Sequence, residues 1–341
     1  MITLSVLDQS PVASGRTAAD AIRETLELAQ VADRLGYHRY WLAEHHSTPG
    51  LADASPEILI GQVAARTSGI RVGAGGIMLQ HYSPLKVAES FRMLETLFPG
   101  RIDLGIGRAP GSDSLTARAL QSAATGRAMS RFPQDVADLL GFVRGRLEPG
   151  HPFARVRAMP DGPTAPEIWL LGSSGESAAL AAYFGTAFSF AHFINADAGE
   201  AVTRAYAEAF RPSAELGAPR ASAAVFVVCA DSETEAVRLA RSRALFIARL
   251  RTGRPGTFPS SEEAEAHPWT PAERAAAHEA ERRTVAGAPE QVRARLETLA
   301  AEYGVDELVI VSITHDFKAR VRSYELLAQA FGLEERTWRD R

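Results

Sequence analysis

The feature that most limits how this chain can fold is an alternation. Short apolar, strand-like runs are each followed by a longer stretch with helical spacing. Residues 2–7 form the first such run and Tyr40-Trp41-Leu42, opening at Arg39, the second; 70–79, 101–107, 167–171, 186–193, 221–230 and 307–313 supply the rest. Between them, 20–35 carries Ile22, Leu26, Ala29 and Leu35 at helical spacing and closes on Gly36, and Ser55-Pro56-Glu57 opens a helix with a cap and an N1 proline. Further helices are expected over 84–97, about 116–144, the alanine-rich run ending at Gly185, 196–216, 232–250, 289–303 and 316–331. Strand-then-helix units favour parallel pairing, and eight of them predict one TIM (β/α)8 barrel over residues 1–341. A doubly wound open sheet is the competing architecture. At 341 residues two average domains would fit, but barrels of this size commonly form one.

About 75 residues separate the seventh and eighth expected strands, too many for one crossover. Residues 251–285, polar and alanine-rich with Pro255, Pro259, Pro268 and Pro271, read as an inserted excursion near the active-site face.

A net charge of −4 points to neither nucleic acid nor an anionic membrane as partner. No apolar run approaches the roughly 18 residues of a membrane span. The one cysteine, Cys229, cannot form an internal disulfide, so a reducing cytoplasm is the expected compartment.

Four stretches gather at what would be the strand carboxyl ends, where barrels bind ligands. Glu44-His45-His46 follows the second strand, and desolvating three titratable groups needs a reason beyond packing. Alternation turns His45 and His46 to different sides, so one of them enters a site; a structural histidine pair is the other reading. No third or fourth ligand stands at a recognisable metal spacing, even with His81 and His192 conscripted, so no metal is expected. Gly73-Ala74-Gly75-Gly76 places three glycines in one strand, which means a bulge or a ligand laid against bare backbone, such as a flat ring. Arg108, within Gly105-Ile106-Gly107-Arg108-Ala109-Pro110-Gly111, offers a fork-shaped cation for phosphate. Gly172-Ser173-Ser174-Gly175-Glu176-Ser177 lies between strand and helix, where its amides and hydroxyls would hold an anion or a serine would cap the helix. A ring floor with one phosphate site suggests a mononucleotide such as FMN.

Taken with Arg71-Val72-Gly73-Ala74-Gly75-Gly76-Ile77, Pro99-Gly100-Arg101-Ile102-Asp103-Leu104-Gly105-Ile106-Gly107-Arg108 and Val285-Ala286-Gly287-Ala288-Pro289-Glu290, these stretches resemble the bacterial-luciferase-like flavin monooxygenases, and within them the single-chain group 1 luciferase-like oxidoreductases. The resemblance covers nearly the whole chain. It implies a TIM barrel, usually a homodimer, that takes reduced FMN from a separate flavin reductase and reacts it with O2. The C4a-peroxyflavin so formed would transfer one oxygen atom to a small organic substrate. By the same resemblance His45 is catalytic; in the mechanism expected here Glu44 orients a histidine and His192 faces the substrate. The resemblance also implies that Arg108, Ser173, Ser174 and Ser177 contact the phosphate and that Gly75-Gly76 forms a cis peptide under the ring; Gly175, in the same turn, is expected at the cofactor as well. Two departures stand out: Ser173-Ser174 where luciferase has glutamate and serine, and His192 in place of a tryptophan, which argues against a long-chain aldehyde. A deazaflavin-dependent dehydrogenase and a non-catalytic flavin-binding paralogue share the fold and are the competing readings.

Overall fold

The computed structural model describes residues 2–109, 111–120 and 131–336; Pro110 and residues 121–130 of the expected 116–144 helix lie outside them. The strands are β1 (Thr3–Asp8), β2 (Arg39–Leu42), β3 (Arg71–Met78), β4 (Ile102–Gly107), β5 (Glu167–Gly172), β6 (Ala187–Ala191), β7 (Ala221–Cys229), β8 (Thr284–Gly287) and β9 (Glu307–Val311). The helices are α1 (Ala18–Arg34), α2 (Pro56–Arg66), α3 (Pro84–Leu97), α4 (Ser114–Leu120), α5 (Phe132–Val143), α6 (Gly175–Phe184), α7 (Gly199–Ala209), α8 (Glu233–Arg251), α9 (Ser261–Ala266), α10 (Pro271–Arg282), α11 (Pro289–Tyr303) and α12 (Phe317–Phe331).

Every strand pairing is parallel, and the sheet closes: β1 lies between β2 and β9, and β7 lies between β6 and β9. Eight strands form this ring with helices between them, a TIM barrel as expected. The ninth, β8, stands outside it. Phe226 of β7 is in register with both Thr284 of β8 and Val311 of β9, so β8 runs on the β6 flank, beyond where β6 stops.

Period-two alternation sorts the strand side chains into two cores. Leu4, Val6, Tyr40, Leu42, Leu308 and Ile310 point outward under the helices, whereas Leu7, Trp41, Val309 and Val311 fill the barrel. Each such side chain contributes roughly 1.5–3 kcal/mol when fully buried. At the amino-terminal end the inward positions are charged. Arg39 bonds Asp103 (2.7 Å), Glu307 (2.6 Å) and Glu167 (3.2 Å), while Trp41 Nε1 donates to Asp103 (2.9 Å). A lone carboxylate in the fourth strand is thus explained by partners on other strands.

The 251–285 excursion is built rather than loose. Its polar residues are caps: Ser260 accepts from the amide of Glu263, and Thr270 and Glu273 form a capping box ahead of Pro271. Its alanines let helices approach closely, Ala276 and Ala277 of α10 packing with Ala244 and Ala248 of α8. Val285, placed at its end by sequence, lies inside β8. Among the described residues, no helix is long and apolar enough to cross a membrane.

Candidate functional site

The carboxyl ends of the strands open onto two adjoining cavities. The first, about 300 Å³, has Gly75 and Gly76 in its lining, with Trp41 and Leu7 beside them. The Gly75–Gly76 peptide is cis. The register between β3 and β4 shifts here, between Ala74 and Ile77, so the glycine run is both a bulge and a cavity surface. A Cβ on Gly76 would stand 2.7 Å from the Gly105 carbonyl oxygen, and one on Gly75 2.7 Å from Leu7 Cδ1. The backbone clash excludes a side chain at Gly76, whereas at Gly75 a Cβ would displace the Leu7 side chain and crowd Trp41.

Arg108, Ser173, Ser174 and Ser177 line the same cavity. Ser174 is the N-cap of α6, yet its side chain makes no capping hydrogen bond, so its hydroxyl is left for another use. Gly175 begins α6 but does not line the cavity. Asn195 Nδ2 donates to the Ser173 carbonyl (3.3 Å) and ties the turn to the β6 loop. The Arg108 guanidinium pairs with Glu176, one residue before Ser177. Glu176 was given no role from sequence, because an acid in a first helical turn is ordinary. An anion at this turn would meet amides, hydroxyls and one guanidinium, with Glu176 as competitor for Arg108.

The second cavity, about 530 Å³, shares Phe193 and Ile194 with the first and contains His45. Residues 41, 43 and 45 continue the inward parity of β2: Trp41 and Ala43 belong to the inner core, and His45 follows them. Its Nδ1 is sealed from solvent with no hydrogen-bond partner, and its amide donates to the Asp53 carbonyl (2.9 Å). Burial, with His46 adjacent, pushes the imidazole down to about 4, so it is neutral at pH 7.

Glu44 and His46 take the other parity and stay out of both cavity linings. Glu44 is fully buried and accepts from the Met78 amide (2.9 Å) and the Tyr82 hydroxyl (2.7 Å), and His46 Nε2 lies 2.6 Å from it. The histidine that Glu44 orients is therefore His46. Tyr82 was missed from sequence, since nothing local links it to β2. Among the described residues no three His, Cys, Asp or Glu side chains gather as metal ligands.

His192 is a correction. It was expected to face substrate, but β6 ends at Ala191, and the turn after it brings Phe193 and Ile194, not His192, to the two cavities. His192 lines a separate hollow with Thr284, Ala286 and Arg295, its ring 6.0 Å from that of Tyr303. Burial, then Arg295, Arg243 and Arg283, push the His192 imidazole down to about 4. An unfolded histidine titrates near 6.5, so from there down to about pH 4 the unfolded chain binds the extra proton and stability falls with pH. His192→Gln should remove this contribution. Its stability deficit relative to wild type is expected to narrow by roughly 1–2 kcal/mol between pH 7 and pH 5 in urea titrations; an unchanged gap would mean that the imidazole charges within the fold.

Residues 2–307 match the luciferase-like monooxygenase family. The chain is 44% identical over 331 residues to the uncharacterized Bacillus subtilis protein YceB, covering 97% of this chain and 100% of that one. It is 39% identical over 335 residues to the N-acetyl-S-alkylcysteine monooxygenase of Bacillus subtilis, covering 97% and 98%. The crystal structure of apo-MsnO8 superposes with a TM-score of 0.90 at 39% identity, covering 98% of this chain and 100% of the other.

Proposed function

This chain belongs to the luciferase-like monooxygenase family, and from that premise we propose that it is a flavin-dependent monooxygenase using reduced FMN from a separate reductase, O2 and a small organic substrate. The observation that carries the reading is the pair of adjoining cavities, one floored by glycine backbone beside an anion-binding turn, the other holding a neutral, unpartnered imidazole. Bound there, reduced flavin supplies the two electrons with which O2 is split, one oxygen atom entering the substrate and the other leaving as water.

The residues divide the remaining work. Gly75 and Gly76 let a flat ring lie against the backbone, and Arg108 with Ser173, Ser174 and Ser177 holds the phosphate. Leu7, Trp41, Phe193 and Ile194 exclude water from the reacting face. His45, on the substrate side, hydrogen-bonds the reacting oxygen and holds or releases a proton through Nε2, the ring nitrogen that is not sealed within the protein. Glu44 is a positioning residue: it pins the His46 ring and the Met78 amide, and so the loop that carries His45.

Two measurements test this. Mixed with O2 and substrate, the protein loaded with reduced FMN should consume O2 in proportion to product. Turnover with a reduced deazaflavin and no O2 uptake would instead establish hydride transfer. Arg108→Ala should weaken FMN by about 10- to 100-fold, the worth of a charge-assisted bond, and leave riboflavin unaffected. Equal losses for both ligands would remove Arg108 from the phosphate site.

A further inference from the structure

We propose that the larger cavity binds an organic anion, a carboxylate or sulfonate on an apolar chain, with Arg243 receiving the charged end. Four arginines are buried among the described residues, and three of them meet a carboxylate: Arg39 with Asp103 and Glu307, Arg92 with Asp161, and Arg320 with Asp8. Arg243, on α8, is the exception. It is 5% exposed, and its hydrogen bonds go to neutral acceptors: the Ala280 carbonyl (2.6 Å), the Thr284 hydroxyl (2.9 Å) and the Phe193 carbonyl (3.1 Å). No carboxylate of the described residues lies within ion-pairing distance of it; its guanidinium sits 4.2 Å from the centre of the Phe226 ring.

A buried cation without a counter-charge is strongly unfavourable, and the imbalance is concentrated at this cavity. Arg251 and Arg283 line it as well; Arg283 is paired with Glu279, and Asp113 is the one carboxylate among the lining residues described. Burial, with Arg283 and Arg251 alongside, pushes the Arg243 guanidinium down to about 9, which leaves it charged at neutral pH. The rest of the wall is apolar, with Phe226, Phe246, Phe258, Leu250 and Ile313. A ligand with an anionic head and an apolar tail satisfies both halves, and low polarity around the head strengthens its attraction to Arg243. That this anion is the substrate rests on the monooxygenase reading; the binding does not.

Hexanoate, hexane-1-sulfonate and hexan-1-ol, titrated into the full-length protein by calorimetry, separate the possibilities. Both anions should bind about 10- to 100-fold more tightly than the alcohol, as expected for a hydrogen-bonded charge pair, and the tighter of the two names the head group. Arg243→Met should abolish the preference, Arg243→Lys should keep much of it, and neither should change FMN affinity. Equal binding of alcohol and anions overturns the proposal, as does no saturable anion binding, or a preference that survives in Arg243→Met. Loss of FMN affinity in Arg243→Met, with anion binding intact, overturns it by assigning the arginine to the cofactor. If the methionine variant does not fold, the wild-type comparison still decides. Failure of the wild type to bind FMN would sink the monooxygenase reading and leave the anion result standing.

Discussion

Replacing His45 with alanine is expected to cut oxygenated product by about 10²- to 10⁴-fold, the usual range for losing a proton-handling group. Affinity for reduced FMN should stay within about twofold, because the side chain lies outside the cavity that holds the glycine floor and the phosphate turn. The electrons should still reach O2 and appear as hydrogen peroxide. A loss of this kind differs from a structural one. His45 is held by its amide on the Asp53 carbonyl, while its Nδ1 bonds nothing in the protein, so alanine breaks no internal side-chain bond at that nitrogen. The imidazole is neutral from about pH 5 upward, since burial and His46 keep it near 4. A group that can give or take a proton during turnover, and is uncharged beforehand, suits a dry pocket. Product and peroxide measured per reduced FMN consumed decide the matter. Coupled turnover at the wild-type ratio would take His45 out of the chemistry.

At the opposite end of the barrel, Arg39→Met should lower stability by about 3–5 kcal/mol, the expected effect of stranding buried carboxylates. Arg39 is 1% exposed and reaches Asp103, Glu167 and both oxygens of Glu307. Its guanidinium also lies 4.8 Å from the centre of the Trp169 ring. Burial alone would favour the neutral arginine, but Asp103, Glu307 and Glu167 outweigh it and raise the guanidinium above its ordinary range. With methionine in place, Asp103 retains Arg71 and Trp41, and Glu307 retains the Ser5 hydroxyl at 2.6 Å, so neither acid is wholly abandoned. The urea midpoint should fall, while the folded fraction binds FMN as before, since Arg39 and its three acids line neither carboxyl-end cavity and Trp41, the member of the network that does, keeps its bond to Asp103. A change below about 1 kcal/mol would mean that the acids are satisfied without Arg39.

How much of this was readable in advance differs by feature. Helix starts such as Pro56 and Pro84 and stops such as Gly185 act within a turn of the backbone, and the period of apolar residues acts within a single element. The eight-fold alternation, the glycine floor and the serine turn were therefore legible. The excursion was half legible. Its capping box at Thr270 and Glu273 was present in the sequence, yet its addition of β8 depended on where β6 ends. His192 was not legible, because β6 stops at Ala191 and the turn beyond it decides that Phe193 and Ile194, not His192, reach the cavity.

What the sequence by itself determined is the barrel, its order of elements, and which stretches gather at its carboxyl-terminal mouth. Periodicity and backbone preference are properties of neighbouring residues, and they survive without knowledge of the rest. Tertiary structure alone decided the partners: Arg39 with acids from three other strands, Tyr82 with Glu44, and Arg243 of α8 at the cavity of His45 without a carboxylate to meet it. Those relations depend on strand register and on the reach of helices distant in sequence. A charge left unpaired becomes visible only once the fold has brought every candidate partner into place.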